Sequence, residues 1–132
     1  MSNTELAKKG YELFLRGDFQ TFIADLVDDH CEWSTPGPKD KLPWAGTCKG
    51  KEEVGSFFLT VDKHLEFTEF TPNDFIERGD TVVVIGIYTC KVRSTSKKVS
   101  GDWVHVAKYT ANGKVRFFKE YADMVALVEA MS

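Results

Sequence analysis

The sequence is defined first by what it lacks. No apolar run approaches the ~20 residues needed to span a bilayer, so no membrane association is expected. There is no internal repeat, low-complexity tract or interdomain linker. At 132 residues, a single domain over 1–132 with a real hydrophobic core is the expectation. Cysteine is scarce: Cys31, Cys48 and Cys90 are odd in number and form no C-x-x-C, which points to free thiols in a reducing compartment. No His/Cys spacing suggests zinc. Positive charge is not in excess. With a net charge of −3, affinity for phosphate backbones is not expected, and the short basic stretch "KVRSTSKK" (91–98) reads as a solvated hairpin tip. Neither a Gly-rich phosphate loop nor a nucleophile elbow is present, so no cofactor is expected. "MSNTELAKKG" carries no apolar core or cleavage pattern of a secretory signal, which makes the cytoplasm the expected location.

Aromatic residues, by contrast, are abundant: 10 Phe, 4 Tyr and 3 Trp suit a domain that lines a cavity as well as fills a core. "SNTE" (2–5) has the form of a capping box, and Leu6, Ala7, Tyr11, Phe14 and Leu15 then fall near helical spacing. Gly17 suits the position just past a helix end, and Asp18 can cap a second helix striped by Phe19, Phe22, Ile23 and Leu26. "HCEWST" (30–35) reads as a short strand running into a loop that holds every proline but Pro72. A third helix carries Val54, Phe57, Phe58 and Val61. Strand-like segments follow at 65–70, 81–92, 102–110 and 114–122, the last two joined at the Asn-Gly of "ANG". Asp123 can cap a closing helix with Met124, Leu127, Val128 and Met131 on one face. Helices segregated before a curved antiparallel sheet predict an α+β fold, a cone whose sheet wraps around the N-terminal helices.

"DWVHVAKY" (102–109) contains the one polar residue that stands out. Side chains alternate faces along a strand, so Trp103, His105, Ala107 and Tyr109 share one side. His105 is then either a core histidine satisfied by hydrogen bonds or a group lining a pocket. On the next strand, simple alternation puts Arg116, Phe118 and Glu120 on one face. Glu120 could orient the imidazole, or it could pair with Arg116 on an exposed face. Asp123 reads as a helix cap, and Tyr121 as a pocket or interface residue. His30 and His64 lie among acidic residues on an expected surface, and no role is assigned to them.

This order of elements, with "RGDFQTFIADLVDDHCEWSTPG", "LPWAGTCKGKEEVGSFF" and "DWVHVAKYTANGKVRFFKEYADMVAL", resembles the SnoaL-like branch of the superfamily that includes ketosteroid isomerases and nuclear transport factor two. The resemblance implies a cone-shaped α+β barrel. It leaves the activity open, because this fold hosts isomerases, cyclases, dehydratases, epoxide hydrolases and non-catalytic binders. Carried over position by position, the general-base Asp of ketosteroid isomerases falls at Thr35 or Ser34. Their oxyanion-hole Tyr falls near Gly10, with Tyr11 one position and so about 100° away. Their neutral Asp donor falls on His105. Glu120 lies where limonene-type epoxide hydrolases carry their last-strand Asp, but "IGIYT" (85–89) supplies neither the Arg nor the second Asp. Neither mechanism has its residues here.

The reading that follows is a small-molecule-binding protein, possibly a cofactor-independent isomerase, cyclase or dehydratase. Its substrate is a small apolar molecule, with His105 as acid/base and Glu120 as its partner. Trp33, Thr35, Trp44, Phe57, Phe58, Trp103 and Phe118 are the expected substrate-binding residues. The alternative is a non-catalytic ligand-binding or dimeric scaffold protein. The resemblance implies a homodimer, and the long strand agrees. Val82, Val84, Tyr88, Cys90 and Val92 line one side and Val83, Ile85 and Ile87 the other, leaving an apolar convex face that the three helices cannot cover.

Overall fold

Both N-terminal helices start and stop at the residues whose chemistry suits those places. The computed structural model describes all 132 residues. α1 spans Asn3–Leu15; the Ser2 hydroxyl accepts the Glu5 N–H at 3.1 Å, and the Glu5 carboxylate reaches back to the Ser2 N–H at 3.4 Å. Gly17, at φ +71°, turns the chain out of α1, and the Asp18 carboxylate accepts the Thr21 N–H to start α2 (Phe19–Leu26). The buried line of α1 runs through Ala7, Gly10 and Leu13, so Leu15, about 200° round the helix from Leu13, is left exposed. It does not belong to the buried stripe that spacing alone suggests.

Six strands follow: β1 (Val27–Thr35), β2 (Gly46–Lys49), β3 (Leu65–Arg78), β4 (Thr81–Val92), β5 (Lys98–Tyr109) and β6 (Val115–Ala122). α3 (Gly50–His64) lies between β2 and β3, and α4 (Val125–Ala130) closes the chain. They form one curved, unclosed sheet in the order β2-β1-β6-β5-β4-β3. Every pairing is antiparallel except β1 with β6, which run parallel. The sheet therefore departs from the all-antiparallel expectation at one seam. No helix is long and apolar enough to cross a membrane.

Two boundaries differ instructively from the sequence reading. β3 does not stop before Pro72 but continues to Arg78. It is an edge strand, so the missing N–H of Pro72 breaks no ladder bond on its free side. Irregularities between Phe67 and Glu69 and between Pro72 and Asp74 bend it around the helices. β2 arises inside the segment read as a loop. Its four residues pair only with β1 and are too short to show a period.

The concave face carries the core. On β4 the buried residues are Val82, Val84, Tyr88, Cys90 and Val92, with Gly86 in the gap. That gap is filled by the indole of Trp103, the cross-strand partner of Gly86, which lies over β4 and donates Nε1–H to the Ile87 carbonyl at 3.1 Å. A methyl group on Gly86 would collide with the Trp103 ring and the Thr71 carbonyl oxygen, and neither is free to move. Gly86→Ala is therefore expected to destabilise the fold by about 3 kcal/mol or more, at the upper end of overpacking costs. Urea midpoints of the two proteins measure this, and a loss below about 1 kcal/mol would contradict the packing described.

Candidate functional site

Large aromatic rings keep the helices off the centre of the sheet, and the space between them is a cavity of about 130 Å³. Its walls come from α1, α2 and α3 on one side and β1 and β3–β6 on the other, with Trp44 of the β1–β2 loop and Met124 and Leu127 at α4 completing them. Apart from Gly10, His105 and Glu120, every wall residue is hydrophobic or aromatic.

Strand alternation on β5 turns Trp103, His105, Ala107 and Tyr109 inward. β6 is less regular. Tyr109 pairs with Val115 but Lys108 pairs with Phe117, so one extra residue is accommodated at Arg116. This bulge resets the alternation: Val115, Phe118 and Glu120 face inward, while Arg116 faces out and pairs with Asp80 at 2.6 Å. Arg116 and Glu120 thus do not share a face, and the suggested pair between them does not form. His105 and Glu120, instead, are direct cross-strand partners, close enough for their side chains to meet.

The His105 side chain is only 6% exposed, yet both its ring nitrogens are engaged. Nε2 lies 2.8 Å from Glu120 Oε2, and Nδ1 lies 2.7 Å from the phenol oxygen of Tyr11 on α1. Burial, then the nearby Tyr109 and Glu120, raise the Tyr11 pKa well above the ordinary phenol value. The phenol therefore keeps its proton and is able to donate it to Nδ1; with the ring in its Nε2–H tautomer, Nε2–H then donates to the Glu120 carboxylate. Tyr11, His105 and Glu120 thus form one chain of hydrogen bonds. Its inner end lies among aromatic rings, whereas the Glu120 side chain is 22% exposed. The ring of Trp103 stacks on His105 at 4.1 Å between centroids, Phe70 stacks on Trp103 at 4.8 Å, and Tyr11 lies nearly parallel to His105.

Of the residues singled out from the sequence, Trp33, Trp44, Phe57, Phe58, Trp103, His105, Phe118 and Glu120 all stand on this wall. Thr35 does not. Its hydroxyl turns away to the Trp44 carbonyl at 3.3 Å, where it ties β1 to the loop. Trp33 stacks on Phe118 at 3.8 Å, and its Nε1 is the one buried side-chain nitrogen or oxygen without a partner. Asp123 accepts the Val125 N–H at 2.9 Å and so steadies the start of α4, whose first-turn cap position is Met124. Tyr11 is the residue that sequence reasoning missed. The signal was a tyrosine on the apolar face of α1, whose hydroxyl needs a partner once buried. No three His, Cys, Asp or Glu side chains converge into a metal-ligating cluster.

Comparison with known proteins places this geometry. The model of the SnoaL-like domain matches residues 7–118. The chain belongs to the SnoaL-like family. Among solved structures, an NTF2-like protein of unknown function from Burkholderia pseudomallei is similar at 27% identity and a TM-score of 0.88, over 100% of this chain and 99% of its own. TerC, co-crystallised with polyporic acid, is similar at 27% identity and 0.85, over 98% and 97%. Bal32a, from a soil-derived mobile gene cassette, is similar at 25% identity and 0.85, over 98% and 96%. No curated protein matches the sequence significantly.

The buried phenols and thiols of this SnoaL-like domain make its stability sensitive to alkali. Burial pushes Cys31 up to about 12, Cys90 to about 11 and Tyr88 to about 12, and it raises Tyr11 and Tyr109 as well. In the unfolded chain the thiols ionise near 8.5 and the phenols near 10. Between those values and the folded ones the unfolded chain holds fewer protons, so stability falls as pH rises. Denaturation midpoints should be flat up to about pH 8 and then fall, more steeply beyond about pH 10 as the phenols join the thiols. Midpoints that stay level across that range would contradict it.

Proposed function

We propose that this protein binds a small, largely apolar molecule in the central cavity and moves a proton on it without a cofactor, as an isomerase, cyclase or dehydratase does. The observation that carries the reading is the Tyr11–His105–Glu120 chain, the one continuous polar track in an otherwise apolar cavity. A pocket of this kind, with a few convergent polar groups, is what a small-molecule site requires. TerC, the relative co-crystallised with polyporic acid, supports a small-molecule ligand.

The chain of hydrogen bonds supplies a route for the proton. As the Tyr11 oxygen takes a proton from an acidic C–H beside a carbonyl, its own proton passes to His105 Nδ1. The substrate becomes an enolate, and the relay gains one proton as an imidazolium held against the Glu120 carboxylate. Return of the proton to a different carbon completes an isomerisation. Because the phenol gives up its proton as it receives another, no free phenolate forms.

Hydrogen–deuterium exchange at the acidic carbon of 2-tetralone, followed by NMR, tests this directly. The wild type should exchange faster than buffer. Tyr11→Phe should lose about 100-fold or more of the enzymatic rate, within the usual range of general acid–base contributions, and Glu120→Gln should lose about tenfold. Binding of the ketone without any exchange would favour the non-catalytic reading instead, in which the same aromatic walls only hold a ligand.

The convex face supports a homodimer. Val83, Ile87, Val104, Val106 and Phe117 are only partly covered there, and Ile85 is 38% exposed. A partly uncovered apolar sheet face is commonly closed by a second copy. Sedimentation should give a species near twice the 14.9 kDa chain mass, reduced to one chain by Val104→Glu. A wild-type monomer would overturn the dimer.

A further inference from the structure

β5 is longer than the strand it pairs with on one side. From Trp103 to Tyr109 it ladders with β6, but after Ala122 the chain leaves the sheet and turns into α4. Lys98–Asp102 consequently pair with β4 alone. Between this free stretch of β5 and α4 lies a second chamber, an open cleft of about 390 Å³. Tyr88, Trp103 and Ala122 belong to the walls of both chambers, so the two adjoin.

Tyr88 bridges them. The residue is 7% exposed, yet its hydroxyl makes no hydrogen bond within the chain and is not a sealed atom. Its phenol tip lies against Gly101. A methyl group there would sit 3.2 Å from the ring and 3.6 Å from Oη, and Gly101 lines the outer chamber but not the inner one. Burial, and to a smaller degree the charges of Cys90, Glu120 and Asp123, raise the Tyr88 pKa to about 12, so this hydroxyl is a donor at neutral pH. Asp102 and Asp123 line the outer chamber, and no Lys or Arg does. Asp123 and Asp102, the latter projecting from the opposite side of β5 to Trp103, flank the mouth of this chamber.

We propose that the outer chamber is a second subsite, in which the Tyr88 hydroxyl donates to an uncharged oxygen, a hydroxyl or a carbonyl, at the far end of the ligand. The inference rests on the inner cavity holding the ligand's ring end. It adds a specificity: the ligand is elongated, with an oxygen at each end, and the distal one is not a carboxylate. An anion there would meet Asp123 and, at the mouth, Asp102, with no cation on the wall to offset them.

Calorimetric titration with three related probes tests it: para-phenylphenol, and its derivatives carrying a hydroxymethyl or a carboxylate at the far ring's para position. The hydroxymethyl derivative should bind about fivefold more tightly than para-phenylphenol, the gain of one neutral hydrogen bond. The carboxylate should bind at least about tenfold more weakly than the hydroxymethyl derivative, because its charge is desolvated without a partner. In Tyr88→Phe, which keeps the ring, the gain from the hydroxymethyl group should vanish. Equal affinities for all three probes, or a gain that persists in Tyr88→Phe, would overturn the second subsite while leaving the inner cavity as the binding site. Failure of every probe to bind would overturn both.

Discussion

The burial of one imidazole constrains more of this molecule than any other interaction. His105 sits among the rings of Trp103, Phe70, Phe118 and Tyr11. Leaving either ring nitrogen unpaired would cost about 1–3 kcal/mol, a large share of the stability of a domain this size. Both partners are therefore structural requirements as well as chemical opportunities. Glu120 reaches Nε2 because β5 and β6 place the two residues directly opposite each other. Tyr11 reaches Nδ1 because α1 lies across the concave face with its aromatic side down. One side chain thereby fixes a helix, a central strand and the next strand relative to one another.

The sheet makes room for that arrangement by departing from regularity. β3 bends at two irregularities, and β6 takes up an extra residue at Arg116, so the sheet curls around the helices without closing. Gly86 lets an indole lie over β4 where a side chain would otherwise stand. The rings that result, Trp33 against Phe118 and Trp103 against Phe70, are broad and flat. They cannot interdigitate as aliphatic side chains do, and the cavity is the space they leave. The cavity is thus a consequence of aromatic composition on a curved sheet.

Within one fold family, chemistry is set by the few polar groups that reach the cavity. By the resemblance to ketosteroid isomerases, their carboxylates fall at Thr35 or Ser34 and at His105, and Thr35 is turned away from the cavity. The polar content has been concentrated into a single line from α1 through β5 to β6. The line runs from a phenol that burial keeps protonated, through the imidazole, to a carboxylate whose side chain is 22% exposed.

Much was decided locally and was legible in the sequence. The Ser2–Glu5 box, Gly17, Asp18 and the turn at Asn112–Gly113 act within a few residues, so composition and spacing reveal them. The inward facing of His105 followed from period-two alternation on β5, a local property too. Three features were decided only by the tertiary structure. The bulge at Arg116 reset the faces of β6, and an irregularity of one residue leaves no mark in a short run of alternating side chains. The parallel seam between β1 and β6 joins strands far apart in the chain. The bond from Tyr11 to His105 spans 94 positions of sequence. Helical spacing gives the angle of Tyr11 around its own helix, but not where that helix lies on the sheet. The packing of the aromatic core sets that position, and with it the hydroxyl that completes the site.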